Sequence, residues 1–219
     1  MLVSEIAQST IPVLRYGDTI EEAIEIFQQH NLEHLPVLHD EKYEGLISLD
    51  ELLSAEDADK ISSLKNKLMH ISIAFNQHFL SALKVIASCN ISVLPILSLN
   101  NEYAGAVLQK DLVNALYTFL NCDEPGGIFV VEMDRQKFSV GELCRLVETN
   151  DAFVTQLNTY TEQISGLFIV TFKVNKTEIS DILATLQRYD YTVRYYFGEE
   201  LYENELRENF DNLMAYLNV

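Results

Sequence analysis

Tryptophan is absent from these 219 residues, and cysteine, proline and glycine are sparse at three, four and eight. So little proline and glycine excludes collagen-like and low-complexity chains. The three cysteines, Cys89, Cys122 and Cys144, are odd in number and widely spaced. They form no CxxC pair and no zinc pattern, so a disulfide framework and a zinc ribbon are excluded, and reduced thiols in a cytosolic protein are expected. No window approaches 18 unbroken apolar residues, so no transmembrane helix is expected. The opening residues MLVSEIAQST lack the basic start and apolar core of a signal peptide, and a cytoplasmic location is the expectation.

Basic residues are also scarce, with 15 Lys and Arg against 33 Asp and Glu and a formal net charge of −18. The deficit is even. Residues 1–121 hold 16 acids and 7 bases, and residues 122–219 hold 17 acids and 8 bases, so each half carries −9. Nucleic acid is held by Lys and Arg that neutralise phosphates, so neither nucleic acid nor an anionic membrane is an expected partner. A small anionic ligand stays open, because a few backbone N–H groups can hold one phosphate.

What is present is an ordinary globular balance, 48% hydrophobic and 22% charged, and an internal repeat. Ala23–Leu38 aligns with Ala82–Leu97, and NLEHLPVL matches NISVLPIL. After one inserted residue Tyr43, Gly45, Glu51 and Leu52 meet Tyr103, Gly105, Asp111 and Leu112. In each copy a helix comes first. Asp18 with Glu21 is the expected capping box. Ile20, Ala23, Ile24 and Phe27 form one helical face, as do Phe79, Ala82, Leu83 and Ile86. Strands are expected at Leu35–Leu38, Gly45–Leu49, Leu94–Leu97 and Gly105–Gln109, with closing helices near Asp50–Ser54 and Lys110–Leu120. One such unit cannot bury its apolar face alone, whereas two packed sheet to sheet can.

These residues resemble the CBS family, whose signature is a Leu-Pro-Val strand, a turn, then Gly, two apolar residues, Ser or Thr, two residues, Asp and Leu. The copies here read LPVL then GLISLDELL, and LPIL then GAVLQKDLV. The resemblance covers residues 1–121, as repeats of about 1–58 and 59–121. It implies a paired α/β module with two clefts that hold adenine nucleotides in many members. The cleft residues it implies are Ile11, His34, Pro36, Gly45, Ser48, Glu51, Pro95, Gly105 and Asp111. The implied regulatory ligand is AMP, ADP, ATP or S-adenosylmethionine. Members that bind nucleotide set the Ser/Thr and the Asp on the ribose hydroxyls. The first copy keeps Ser48 but has Glu51, and the second keeps Asp111 but has Leu108. The alternative is that Glu51 and Asp111 only start their helices, where acids favour the dipole, and the cleft is empty or used differently.

The run LNCDEPGG (Leu120–Gly127) marks a boundary. Beyond it the pattern reads strand (Ile128–Asp134), helix (a face of Val140, Leu143, Cys144 and Val147 capped by Ser139), strand (Ala152–Tyr160, with Phe153, Thr155, Leu157 and Thr159 on one side) and strand (Leu167–Val174). A helix (Ile179, Ile182, Leu183, Leu186) and a strand (Tyr191–Phe197) follow. This βαββαβ order is ferredoxin-like. Over residues 126–198 it resembles an ACT domain, whose strand-to-helix turn would place Asp134, Gly141 and Leu143 at an amino-acid site. The alternative is a domain that pairs with its own copy. The whole order resembles the bacterial acetoin utilization proteins in architecture. Residues 199–219 read as a further helix with a stripe of Leu206, Phe210, Leu213, Met214 and Leu217, packed on its own domain or a partner.

No G-x-S-x-G elbow, P-loop or G-x-G-x-x-G occurs. His30 and His34 have a metal-like spacing of four, but Asn31 and the following strand are expected to part them, so no metal site is assigned. Cys144 is expected in the core and Cys89 inert. The expected fold class is α/β (α+β), with a tandem CBS pair, a ferredoxin-like domain and a C-terminal helix. The expected function is a non-catalytic regulatory sensor that forms a homodimer. A ligand-free interaction protein that docks on a target enzyme is the alternative.

Overall fold

The structure, a computed structural model, describes residues 1–55 and 60–198. The helix expected over residues 199–219 lies outside the described residues. The chain divides into two compact units, Met1–Tyr117 and Thr118 onward.

The first unit carries the repeat. Its first copy comprises β1 (Leu14–Arg15), α2 (Ile20–His30), β2 (His34–His39), β3 (Lys42–Ser48) and α3 (Leu49–Leu53), preceded by the short α1 (Val3–Ile6). The second copy comprises β4 (Ile73–Ala74), α4 (Phe79–Cys89), β5 (Val93–Leu97), β6 (Tyr103–Leu108) and α5 (Gln109–Phe119). Each copy forms a three-stranded sheet, β1-β2-β3 or β4-β5-β6. The register repeats to the residue. Val37 faces Gly45 before an irregularity, and Ile96 faces Gly105 before another at the same place. One hydrophobic core spans both copies, filled by pairs such as Ile20 with Phe79 and Leu35 with Leu94.

The helix faces are those the periodicity predicts. Ile20, Ala23 and Phe27 are buried, as are Phe79, Ala82 and Ile86. The cap of α2 differs. Thr19 Oγ1 accepts from Glu22 N at 3.2 Å, and Glu22 Oε2 accepts from Thr19 N at 2.9 Å. The box therefore sits one residue beyond Asp18 and Glu21. Asp18 is held in the preceding turn, where its carboxylate accepts from Arg15 N at 2.7 Å. Both helices stop at an asparagine in the left-handed conformation, Asn31 (φ 50°) and Asn90 (φ 51°). Asparagine tolerates that conformation better than most residues. His30 thus ends α2 while His34 opens β2, and the two share no helical face.

The second unit comprises β7 (Ile128–Met133), α6 (Val140–Glu148), β8 (Val154–Thr161), β9 (Phe168–Val174), α7 (Ser180–Arg188) and β10 (Thr192–Phe197). Its antiparallel sheet has the order β10-β7-β9-β8, the ferredoxin-like arrangement. Phe129, Val131, Phe168, Val170 and Phe172 meet Leu143, Leu146, Ile182 and Leu186 in one core.

Two expected faces are corrected. A bulge between Val154 and Gln156 breaks the alternation of β8. Val154 and Leu157 therefore pack on the core, and Phe153 is left 57% exposed. An extra residue in one strand reverses the phase of everything beyond it. On α6 the buried stripe is Leu143, Leu146 and Val147, whereas Val140 is exposed and Cys144 half-buried. Val140 is the first residue of the helix, directly after its cap Ser139, and the buried stripe begins only at Leu143.

Candidate functional site

The signature windows SLDE (Ser48–Glu51) and LQKD (Leu108–Asp111) both begin closing helices, and each supplies one half of a capping box. In the first, Ser48 Oγ accepts from Glu51 N at 3.3 Å. In the second, Asp111 Oδ2 reaches back to accept from Leu108 N at 3.0 Å. The side chain missing from each half is the residue by which that copy departs from the signature. Glu51 does not reach back and lies 2.7 Å from Lys67 Nζ. Each acid does start its helix.

The signature glycines are set by a crossing chain. Gly45 and Gly105 are buried on β3 and β6, and the segment that leads into each repeat passes over the other copy's strand. Met69 exchanges two backbone hydrogen bonds of 2.8 Å with Leu46, and Gln8 exchanges bonds of 2.8 and 3.1 Å with Ala106. A Cβ on Gly45 would lie 2.7 Å from Leu68 Cβ, and one on Gly105 2.9 Å from the Gln8 carbonyl oxygen. Pro36, Pro95 and Ile11 are also buried, and Pro36 and Pro95 sit mid-strand in the core layer.

Of the residues the signature implies, His34 and Ser48 come together. They line a cleft of about 540 Å³ with Glu33, Asp50, Met69 and Asn90. The strand β2 delivers His34, the β3–α3 junction delivers Ser48 and Asp50, and the left-handed cap of α4 delivers Asn90 from the other copy. His34 Nδ1 lies 3.1 Å from Ser92 Oγ and accepts from Ser92 N at 3.3 Å, which ties the two copies together. With Nδ1 as acceptor, the neutral ring carries its proton on Nε2. Burial holds the His34 pKa below the ordinary histidine value, against the opposing pull of Glu33 and Asp50. Among the described residues the lining offers two carboxylates, a hydroxyl and an amide, and neither an ammonium nor a guanidinium group.

At the second signature the carboxylate is already occupied. Gln8 Nε2 donates to Asp111 Oδ1 at 2.6 Å while Oδ2 holds Leu108 N. The residue at Gln8's place in the first copy is Met69, which has no such donor. Sequence reasoning missed Glu33, Asp50, Met69, Asn90 and Gln8. The first two flank residues it chose, and Asn90 aligns with Asn31 as a helix stop. The crossing segments of Met69 and Gln8 are too short to carry a periodic signal.

In the second unit Asp134 lines a hollow of about 340 Å³ with Lys137, Tyr189 and Tyr191. Leu143 is fully buried in the core and Gly141 faces open space, so the three candidates do not converge.

Residues 3–58 match the family model described as "CBS domain". An uncharacterized protein of Methanocaldococcus jannaschii is 25% identical over 132 residues, which are 53% of this chain and 44% of that protein. The chain thus spans less than half the length of that curated relative. Among solved structures, a CBS domain pair/ACT domain protein from Thermotoga maritima is 19% identical, with a TM-score of 0.50. That match covers 55% of this chain and 99% of the other. A structure described as CBSX2 in complex with AMP covers 54% of this chain and 97% of its own, at 17% identity and a TM-score of 0.45. Residues 3–58 are thus similar to a CBS domain, and the described residues have the mixed α/β fold of a tandem CBS pair followed by a ferredoxin-like βαββαβ unit.

Proposed function

We propose that the chain is a non-catalytic regulatory sensor of the cytoplasm whose first CBS cleft takes an adenosyl ligand. The observation that carries this reading is the junction of His34, Ser48 and Asp50 in one open cleft. A carboxylate beside a hydroxyl accepts two ribose hydroxyl hydrogens, and Asn90 offers both donor and acceptor to a base edge. The electrostatics rank the expected ligands. Glu33 and Asp50 face a cleft with no cationic side chain among the described residues, in a chain of net charge −18. Each added phosphate is repelled, so adenosine and the cationic S-adenosylmethionine precede AMP, and AMP precedes ADP and ATP.

A thermal-shift titration with these five compounds tests the reading. A ligand that binds only the folded chain raises its melting temperature by mass action. A rise with adenosine or S-adenosylmethionine that Ser48→Ala diminishes supports it. No shift with any of the five at millimolar concentration would overturn it.

One observation favours the alternative, an interaction protein without small ligand that docks on a target enzyme. Asp111 is consumed by Gln8 and Leu108, and Glu51 is paired with Lys67. A homodimer is part of both readings. Strand β10 ends its sheet and carries Tyr195 and Phe197, 46% and 57% exposed, so among the described residues it offers an open edge for pairing. An amino-acid ligand in the ACT-like unit rests on Asp134 alone among its three candidates.

A further inference from the structure

The two copies differ at the hairpin end of their strands, which does not line the cleft. In the first copy Tyr16 stacks on His39, with ring centroids 4.7 Å apart and 22° between planes. The Tyr16 hydroxyl donates to Glu44 Oε2 at 2.8 Å. The equivalent residues of the second copy are Phe75, Ser98 and Ala104. The hydroxyl, the imidazole and the carboxylate that touch one another in the first copy are all missing together in the second. What remains in their place is a largely apolar hollow of about 420 Å³, lined by Ala7, Phe75, Ile96, Leu99 and Ala104 with the polar Ser4, Ser98 and Asn100 at its walls.

This hollow has the features of a ligand site. Its volume falls in the usual range for small-molecule pockets, roughly 300–1,000 Å³. Among the described residues its walls carry no charged side chain. The turn that forms one wall is fixed, because Ser98 Oγ accepts from Asn100 N and Glu102 N, each at 3.2 Å. Leu99 on that turn is 76% exposed, an apolar side chain held beside an apolar hollow. The first copy shows what such a space accepts, since an imidazole lies there flat against an aromatic ring.

We propose that this hollow is a second ligand site, separate from the cleft, and that it takes a small uncharged aromatic ring stacked on Phe75 as His39 stacks on Tyr16. Aromatic pairs with centroids about 4.5–7 Å apart are favourable beyond their buried area. With no cationic side chain among its described walls, in a chain of net charge −18, the hollow disfavours a phosphorylated ligand, and with no carboxylate there it offers little attraction for a cation.

Indole is a suitable probe for the full chain. The protein has no tryptophan, so the probe's own fluorescence reports binding. Saturable binding with a blue shift of indole emission is expected, and adenosine should not displace it. Phe75→Tyr, Ser98→His and Ala104→Glu together rebuild the first copy's side chains in the hollow. That triple variant should bind indole at least about tenfold more weakly. If circular dichroism shows that it does not fold, Ala104→Phe fills the hollow from an exposed position and should have the same effect. The proposal is overturned by a lack of saturable binding at millimolar indole, by variants that bind as the native chain does, or by full displacement with adenosine. It is also overturned if light scattering shows the native chain dimeric and the hollow-filled variant monomeric, because a second copy would then be the occupant.

Discussion

The Gln8 side-chain amide donates to Asp111 across 103 residues of sequence, at 2.6 Å. The segment before the first repeat is thereby locked to the closing helix of the second. The same carboxylate caps that helix through Leu108 N. Asp111→Ala removes both bonds, and a charged cap of this kind is worth about 1–2 kcal/mol. Urea unfolding should show that loss. Adenosine affinity should stay at the native value, because the open cleft belongs to Ser48. An affinity that falls with Asp111→Ala as far as with Ser48→Ala would show that the second signature also holds ligand.

Glycines give substitutions of opposite sign. A Cβ on Gly45 would meet Leu68 Cβ at 2.7 Å and the Met69 carbonyl oxygen at 3.2 Å. Gly45→Ala is expected to destabilise by roughly 1–3 kcal/mol, the usual cost of overpacking. Gly105→Ala should cost more. It meets the Gln8 carbonyl oxygen at 2.9 Å, and its φ of 121° adds strain of about 1–3 kcal/mol for a side-chain-bearing residue. Gly141 lies in the first turn of α6 with nothing near its missing Cβ. Gly141→Ala should therefore stabilise, by about 0.5–1 kcal/mol. Melting temperatures of the three variants check the order.

The paired tyrosines of the hairpins offer an internal control. Tyr43 Oη donates to the Ile71 carbonyl at 2.5 Å. The Tyr103 hydroxyl, its equivalent, is buried and has no hydrogen-bond partner among the described residues. Burial pushes the pKa of Tyr103 up to about 12. Tyr43→Phe should cost about 1 kcal/mol, the net worth of one hydrogen bond. Tyr103→Phe should be neutral or stabilising, because it removes a buried group with nothing to bond. Equal losses in the two variants would show that a water completes the Tyr103 hydroxyl.

Much of this was legible in the sequence because it repeats. Two aligned copies fixed the helix faces, the strand pairs and the equivalence of Gly45 with Gly105. The ferredoxin-like order followed from helical spacing at Ile179, Ile182, Leu183 and Leu186 and from strand runs such as Phe168–Val174. Illegible features depend on a single residue's phase or on a distant partner. The bulge at Val154 leaves no mark in composition, so Phe153 read as sharing a face with Leu157. Thr19 and Asp18 are both good caps, and only the turn bond from Arg15 N decides between them. The side chains of the open cleft were half visible. His34 and Ser48 were among the residues the signature implies, but Glu33 and Asp50 only neighbour such residues, and Gln8 closes the second signature from the start of the first repeat, 103 residues away.

A final prediction concerns acid. Arg194 on β10 ties the sheet of the second unit together. Its guanidinium lies 3.0 Å from Glu132 Oε2 and makes a two-pronged contact of 2.8 and 2.9 Å with Glu162. Hydrogen bonds from Arg194 first, and from Ser165 second, hold the Glu162 carboxyl down to about 2 from an ordinary 4.5. A depressed folded-state value means that the unfolded chain binds the proton more readily. The stability contributed by this contact is therefore complete above about pH 4.5 and disappears as pH falls through about 2. The Glu162 side chain is partly exposed, so salt should weaken the effect. Arg194→Gln should flatten the stability curve across that window and change little in its slope at neutral pH. Denaturant unfolding followed at backbone amides of the second unit, repeated from neutral pH downward, reads the difference. An Arg194→Gln curve parallel to the native one across the window would mean that Ser165, and not Arg194, keeps Glu162 ionised.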